Sequence, residues 1–211
     1  MKTGRLILTN TLIFLIIAGL GIGGYYYYFT QSNFIQTEDA RVKGDIVSVS
    51  SLGNGILEDW QAEEGQEVSK GQVLGKVNTG QQILDITSPI DGTIIKNESS
   101  TGKLIAAGQT LAQVVDLKNL YIEANIEETV IKDVSTGQEV DITVDAAENT
   151  KIRGTVTKIG KATNSTFSLL PQQPASGDYK KVKQYIPVTI EMENYPDTIL
   201  PGMNASVRIH K

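Results

Sequence analysis

The 211-residue chain has no cysteine and a single histidine, His210. Without cysteine there can be no disulfide framework, thiolate nucleophile or cysteine-held metal, although the compartment stays open because an oxidising space does not require disulfides. The lone imidazole is the next-to-last residue, a position that suits a solvated side chain better than the base of a catalytic triad. Positive charge is also scarce. Lys and Arg total 19 against 24 acids; with Lys2 and Arg5 set apart at the N-terminus, the remainder carries 17 against 24, or −7. An acidic body without a basic cluster repels phosphate backbones, so no nucleic-acid partner is expected. No heptad run follows Tyr28, which excludes a coiled coil. No nucleophile–base pair or phosphate loop stands out. The expectation is therefore a protein that is not an enzyme, with no cofactor, no metal and no catalytic residue.

What is present begins with "LILTNTLIFLIIAGLGIGG", Leu6 to Gly24, which carries no charge. As a helix it would span about 28 Å at ~1.5 Å per residue, close to the ~30 Å hydrocarbon core. Lys2 and Arg5 precede it and four tyrosines, Tyr25 to Tyr28, follow as an aromatic belt. A cleaved signal peptide would carry a shorter apolar stretch and a small-residue site. The pattern predicts a cytoplasmic tail (1–5), a single transmembrane anchor (6–28) in the cell membrane, and an extracytoplasmic C-terminal body. Gly19, Gly21 and Gly24 match the spacing of a dinucleotide loop, but inside an apolar span they cannot serve as one.

Past the anchor, 29–44 reads as a linker and first strand. Residues 49–77 then align without a gap on 86–114, an offset of 37. Ser51 falls on Ser88, Gly55 on Gly92, Gly65 on Gly102, Gly71 on Gly108, Leu74 on Leu111 and Val77 on Val114. Asn54-Gly55 and Asp91-Gly92 read as hairpin dipeptides needing positive φ. Each half is too small to bury its own apolar face, so the two must pack together as a β-sandwich with pseudo-twofold symmetry, 45–116.

"NGILEDWQAEEGQEVSKGQVLGKV" and "SPIDGTIIKNESSTGKLIAAGQTLAQVVD" resemble the two halves of a biotinyl/lipoyl domain. In carriers of that family a lysine sits at the hairpin between the halves. Here that position is Gln81, in "TGQQI", which offers no nucleophilic amine for an acyl arm. "QTEDARVKGDIVSVSSLGNG", "LYIEANIEETVIKDVSTGQEVDITVD" and "LPGMNASVRI" further resemble membrane-fusion (HlyD-type) adaptor proteins. "ATNSTFSLLPQQPASGDYKKVKQYIPVTIEM" is closest to the EmrA-like branch. The resemblance implies a mainly β fold: a transmembrane helix, a lipoyl-like β-sandwich (barrel-sandwich hybrid) and a small antiparallel β-barrel over 117–211. That family usually inserts a helical hairpin between the lipoyl halves, and here only Asn78 to Gln82 fill the gap, about 17 Å when extended.

Alternating apolar and polar residues in "NLYIEANI", "QEVDITVDA", "KIRGTVTKIGKA", "YIPVTIEME" and "MNASVRIH" support the barrel. "EETVIKDV", Glu127 to Val134, suggests two helical turns with acids at the N-terminus. Residues 163–182 lack periodicity, and their apolar Phe167, Leu169 and Leu170 are the expected partner-contact loop; the plainer reading is a flap over a barrel end. The functional expectation is a membrane-anchored accessory subunit of a multidrug or xenobiotic efflux transporter. Its expected partners are the lipid bilayer, a membrane-spanning exporter of the major-facilitator type, and further copies of itself. The alternative is a stand-alone structural envelope protein with a non-carrier lipoyl-like domain.

Overall fold

A computed structural model describes residues 2–147, 150–167 and 183–211. Helix α1 (Lys2–Asn33) leads directly into strand β1 (Phe34–Lys43). The helix thus runs past the tyrosines, and 29–33 extend it where a linker was expected.

The repeat folds as eight strands: β2 (Ile46–Ser50), β3 (Gly55–Glu58), β4 (Glu67–Val68), β5 (Val73–Asn78), β6 (Ile83–Thr87), β7 (Gly92–Asn97), β8 (Leu104–Ile105) and β9 (Thr110–Val115). They form two sheets, ordered β2-β9-β7-β4 and β6-β5-β3-β8. Moving each strand of the first half by 37 positions gives its counterpart in the second, so the two sheets are copies of one another. Each sheet mixes strands from both halves. The fully buried residues are repeat mates too: Val49 and Ile86, Leu57 and Ile94, Leu74 and Leu111, Val77 and Val114.

The turns follow the same exchange. Gly71 N donates to Ser88 O at 2.8 Å, and Gly108 N to Ser51 O at 2.8 Å. Asp91 Oδ1 accepts from Lys70 N at 2.9 Å, and Asn54 Oδ1 from Ala107 N at 2.8 Å. Each half's Asx side chain therefore holds the other half's turn. This is not the role assigned from sequence. Of the glycines matched across the repeat, Gly65, Gly71, Gly102 and Gly108 have positive φ, while Gly55 and Gly92 open strands without it. Gly55 and Gly92 are needed for space: a Cβ on Gly55 would fall against the Asn78 carbonyl oxygen, and one on Gly92 would lie 2.5 Å from that of Val115.

The second body is a closed six-stranded barrel, ordered β1-β10-β13-β12-β11-β14. Its further strands are β10 (Tyr121–Glu127), β11 (Glu139–Val144), β12 (Lys151–Ile159), β13 (Tyr185–Glu193) and β14 (Asn204–His210). Apart from Met192, the inward strand residues are β-branched or small, among them Val42, Ile122, Ile126, Ile142, Val188, Ile190 and Ile209. The stretch expected to give two helical turns gives a single 3-10 turn, Ile131–Asp133, after β10 has run to Glu127. Val130 and Ile131 are β-branched, lose χ1 freedom in a helix, and here pack against the barrel core.

Candidate functional site

The two bodies are joined by a shared apolar core rather than a free linker. Val115, the last residue of β9, belongs to the barrel cluster, and Ile95 packs against it. A Cβ on Gly44 would lie 2.7 Å from Leu120 Cδ2 and 2.8 Å from Val115 Cγ2, so only glycine lets β1 turn into β2 here. Tyr195 fastens the joint: its hydroxyl donates to Leu117 O at 3.0 Å and accepts from Leu120 N at 2.8 Å. Burial raises the pKa of that phenol, Asp116 and Asp197 add to the rise, and the Leu120 N–H opposes it.

The sandwich's hairpin tip lies at the end away from the barrel. β2 leaves the barrel at Ile46, and the loop beyond its far end reaches the tip: a Cβ on Gly53 would touch Leu84 and Thr79. The tip is a tight polar turn. Thr79 N donates to Gln82 O at 3.0 Å, Gly80 N to Asn78 Oδ1 at 2.9 Å, and Gly80 has φ +81°. Gln81 is exposed at its apex, where a carrier domain presents lysine.

The barrel end next to α1 holds the base of the irregular loop. A 3-10 turn, Asn164–Phe167, leads out. Asn164 Nδ2 donates to Asn125 Oδ1 at 2.7 Å, and Lys183 Nζ lies 2.6 Å from Glu127 Oε1. That hydrogen bond and charge raise the Lys183 pKa. Leu169 and Leu170 lie outside the described residues, and only the backbone of Phe167 is described. A cleft of about 640 Å³ opens at this end, lined in part by Phe34, Asp39, Glu127 and Tyr185. His210 is not simply solvated: its Nε2 is 3.1 Å from Asp141 Oδ2, and its ring meets Phe34 edge-on at 4.9 Å. Among the described residues no group of three or more His, Asp or Glu side chains is placed to hold a metal.

One surface went unnoticed in the sequence. Across the outer face of the β6-β5-β3-β8 sheet, Ile83, Asn78, Ile56 and Leu104 stand in a single cross-strand row. Ile83 is 59% exposed, Ile56 50% and Leu104 80%. Setting each repeat position beside its mate would have revealed it, since Leu104 stands where Glu67 does.

A barrel-sandwich hybrid with no insertion at its tip, followed by a six-stranded barrel, defines the adaptor class of membrane-fusion proteins in a hairpin-less form. Comparison with known proteins agrees. The family model of the YhbJ barrel-sandwich hybrid domain matches residues 45–116, and that of the YknX-like beta-barrel domain matches 120–209. YhbJ of Bacillus subtilis (strain 168), provisionally named an efflux system component, is 46% identical over 99% of this chain and 94% of its own length. The multidrug export protein EmrA of Escherichia coli (strain K12) is 38% identical over 59% of this chain but only 33% of its own. In structure, the membrane fusion protein Spr0693 from Streptococcus pneumoniae R6 superposes with a TM-score of 0.61 at 14% identity, over 83% of this chain and 97% of that one, a likeness of fold alone. The chain belongs to the EmrA-like membrane-fusion adaptor family, in the short form that lacks the helical hairpin.

Proposed function

We propose that this chain is a non-catalytic adaptor of an efflux transporter, anchored once in the cell membrane with its β domains outside the cytoplasm, beside an exporter of the major-facilitator type. The observation that carries the reading is the helix. Leu12, Phe14, Ile16, Leu20 and Ile22 are all more than half exposed, so over 11–25 the helix is apolar on every side, and among the described residues nothing covers these side chains. A helix apolar all round needs a lipid or protein surround. Among the residues whose side chains are described, no helix is long and apolar enough to cross a membrane. Within α1 their continuous stretch is only 11–25, about 22 Å at ~1.5 Å per residue, whereas the uncharged run is Leu6 to Gly24. The names of YhbJ, an efflux system component, and EmrA, a multidrug export protein, support an export role.

The order helix, barrel, sandwich would put the loop carrying Phe167, Leu169 and Leu170 at the barrel end nearest the bilayer, level with an exporter's outer mouth. Deleting the gene should sensitise cells to an exported compound only when the partner exporter is present. Equal sensitisation in cells lacking every candidate exporter would favour the stand-alone envelope role. Replacing Phe167, Leu169 and Leu170 together with Ser should weaken co-purification with the exporter while the fold persists; normal co-purification would remove the loop from the contact.

A further inference from the structure

We propose that the cleft at the barrel end next to α1 is a binding site for an amphiphilic cation. The proposal rests on the adaptor reading, in which such a cation is an exported compound met at the bilayer surface. The site is a parting of the barrel seam. β1 pairs with β10 only over Ala40–Lys43, while Phe34 to Thr37 pair with β14 alone. From Thr37 to Ala40 β1 advances three positions, while its partner β14 moves two, from Val207 to Ala205. The extra residue is a β-bulge, a device that bends a strand and re-aims its side chains at a barrel rim. It falls at Glu38 and Asp39, where β1 leaves β10. The opening has a volume of about 640 Å³, within the ~300–1,000 Å³ of small-molecule sites.

The lining divides by polarity. Ile35 and Ile126 are buried and Val130 packs against the same core, so the floor is apolar. Glu38, Asp39 and Glu127 bring three carboxylates to it. The neighbouring cations are already engaged: Lys183 Nζ with Glu127 at 2.6 Å, Lys211 Nζ with Asp133 at 3.7 Å, and Arg208 over the Phe34 ring at 5.5 Å. Asp39 Oδ2 accepts from the neutral Asn125 Nδ2 at 3.0 Å, and neither Asp39 nor Glu38 has an ion-pair partner among the described residues. Two negative charges therefore stand uncompensated beside an apolar floor. An anion is repelled, a neutral compound leaves the charges unused, and a small hydrated ion gains nothing from the floor. A cation with an apolar body uses both. A peptide strand fits less well. Insertion needs about 9.6 Å between β1 and β10, two strand spacings of ~4.8 Å. Thr37 Oγ1 crosses the gap in one step, donating to Asn125 O at 3.1 Å.

Tetraphenylphosphonium and tetraphenylborate are the probes, alike in shape and opposite in charge. The full-length protein in lipid nanodiscs is dialysed to equilibrium against each ion, with empty nanodiscs subtracted. The expected result is saturable binding of the phosphonium and none of the borate above the lipid background. Glu38→Gln, at an exposed position, should weaken phosphonium binding about fivefold, as for one charge at ~4 Å in water, while melting temperature holds. Adding Asp39→Asn, which keeps an acceptor for Asn125, should weaken it further. Amide exchange in the same sample should slow at 34–39 and 125–127 when the phosphonium is added, and stay unchanged in the sandwich. Equal binding of the two ions, unchanged affinity in Glu38→Gln, or no slowing at 34–39 and 125–127 would each overturn the proposal. Protection of both segments in native membranes before any cation is added would give the cleft to a partner's strand, and overturn it too. The gene-deletion test reports the adaptor reading separately. Exporter-dependent sensitisation with no phosphonium bound keeps the adaptor and removes this site; phosphonium bound with exporter-independent sensitisation does the reverse.

Discussion

Substitution of Gly55 distinguishes two physical reasons for a glycine. A Cβ there would be 2.7 Å from the Asn78 carbonyl carbon and 2.9 Å from Val77 Cγ1, and closer still to the Asn78 oxygen. Ordinary contacts lie near ~3.5 Å. The two nearest obstructing atoms belong to the backbone of β5, hydrogen-bonded to β3, so relief requires the two strands to part. Overpacking costs about 1–3 kcal/mol, and one or two stretched ladder bonds add about 1 kcal/mol each. Gly55→Ala should therefore destabilise by roughly 2–5 kcal/mol, a fall in Tm of about 5–15 °C for a chain of this size. Gly65 is the contrasting case: φ is +86° and nothing lies within 4 Å of an added Cβ. Gly65→Ala meets only left-handed backbone strain, about 1–2 kcal/mol. Thermal unfolding of the full-length protein in detergent ranks the two. Asn sharpens the comparison, because it tolerates left-handed backbone yet still carries a Cβ. It should rescue position 65 relative to Ala and give no relief at 55. A Gly55→Ala variant that melts above Gly65→Ala would refute the close-approach argument.

Ser99 offers the opposite sign: its Oγ is buried without a hydrogen-bond partner, and its repeat mate is Ala62, so Ser99→Ala should raise stability by about 1 kcal/mol, read as a higher Tm. The Tyr195 phenol, whose pKa is raised above its ordinary 10.0, contributes stability fully present below pH 10 and lost as pH climbs through the folded value; Tyr195→Phe should flatten that alkaline loss in urea titrations, leaving the part due to Tyr121, which burial also raises. A Ser69→Cys variant should react with an impermeant maleimide in intact cells, and labelling only after permeabilisation would reverse the topology. Intact mass of the native protein should show no biotinyl or lipoyl adduct, since Gln81 cannot form the amide; an adduct mass would require another acceptor.

The sandwich was legible because its core recurs every second residue and both halves use the same turn glycines, so the 37-residue offset located Leu57 beside Ile94 in the pattern before any coordinate did. The role of Gly55 was not legible. Asn-Gly carries the same signal whether the glycine turns the chain or makes room for a carbonyl, and only the pairing of β3 with β5 separates them. The end of α1 was misplaced because "FTQSN" holds no Gly or Pro to stop a helix. The row of Ile56, Ile83 and Leu104 lies on three strands scattered over 49 residues of sequence, and its contiguity depends on β3 pairing with both β5 and β8. The partner of His210 was not legible for a related reason: Asp141 is 69 positions away, brought near only by barrel closure.

That closure bears on how the chain folds. β1 is bordered by β10 and β14, and β14 also borders β11. Until β14 arrives, β1 and β11 each present an unpaired edge, and the barrel is an open sheet of five strands. The sandwich faces the same delay on a smaller scale, since β2 waits for β9. Low-order local contacts are few, so folding should be slow and should leave sticky edges exposed while it proceeds. In the anchored arrangement proposed above, the first barrel strand would emerge beside the bilayer long before its last neighbour, and its vulnerability to proteolysis and mispairing in that interval would be set by the time translocation takes.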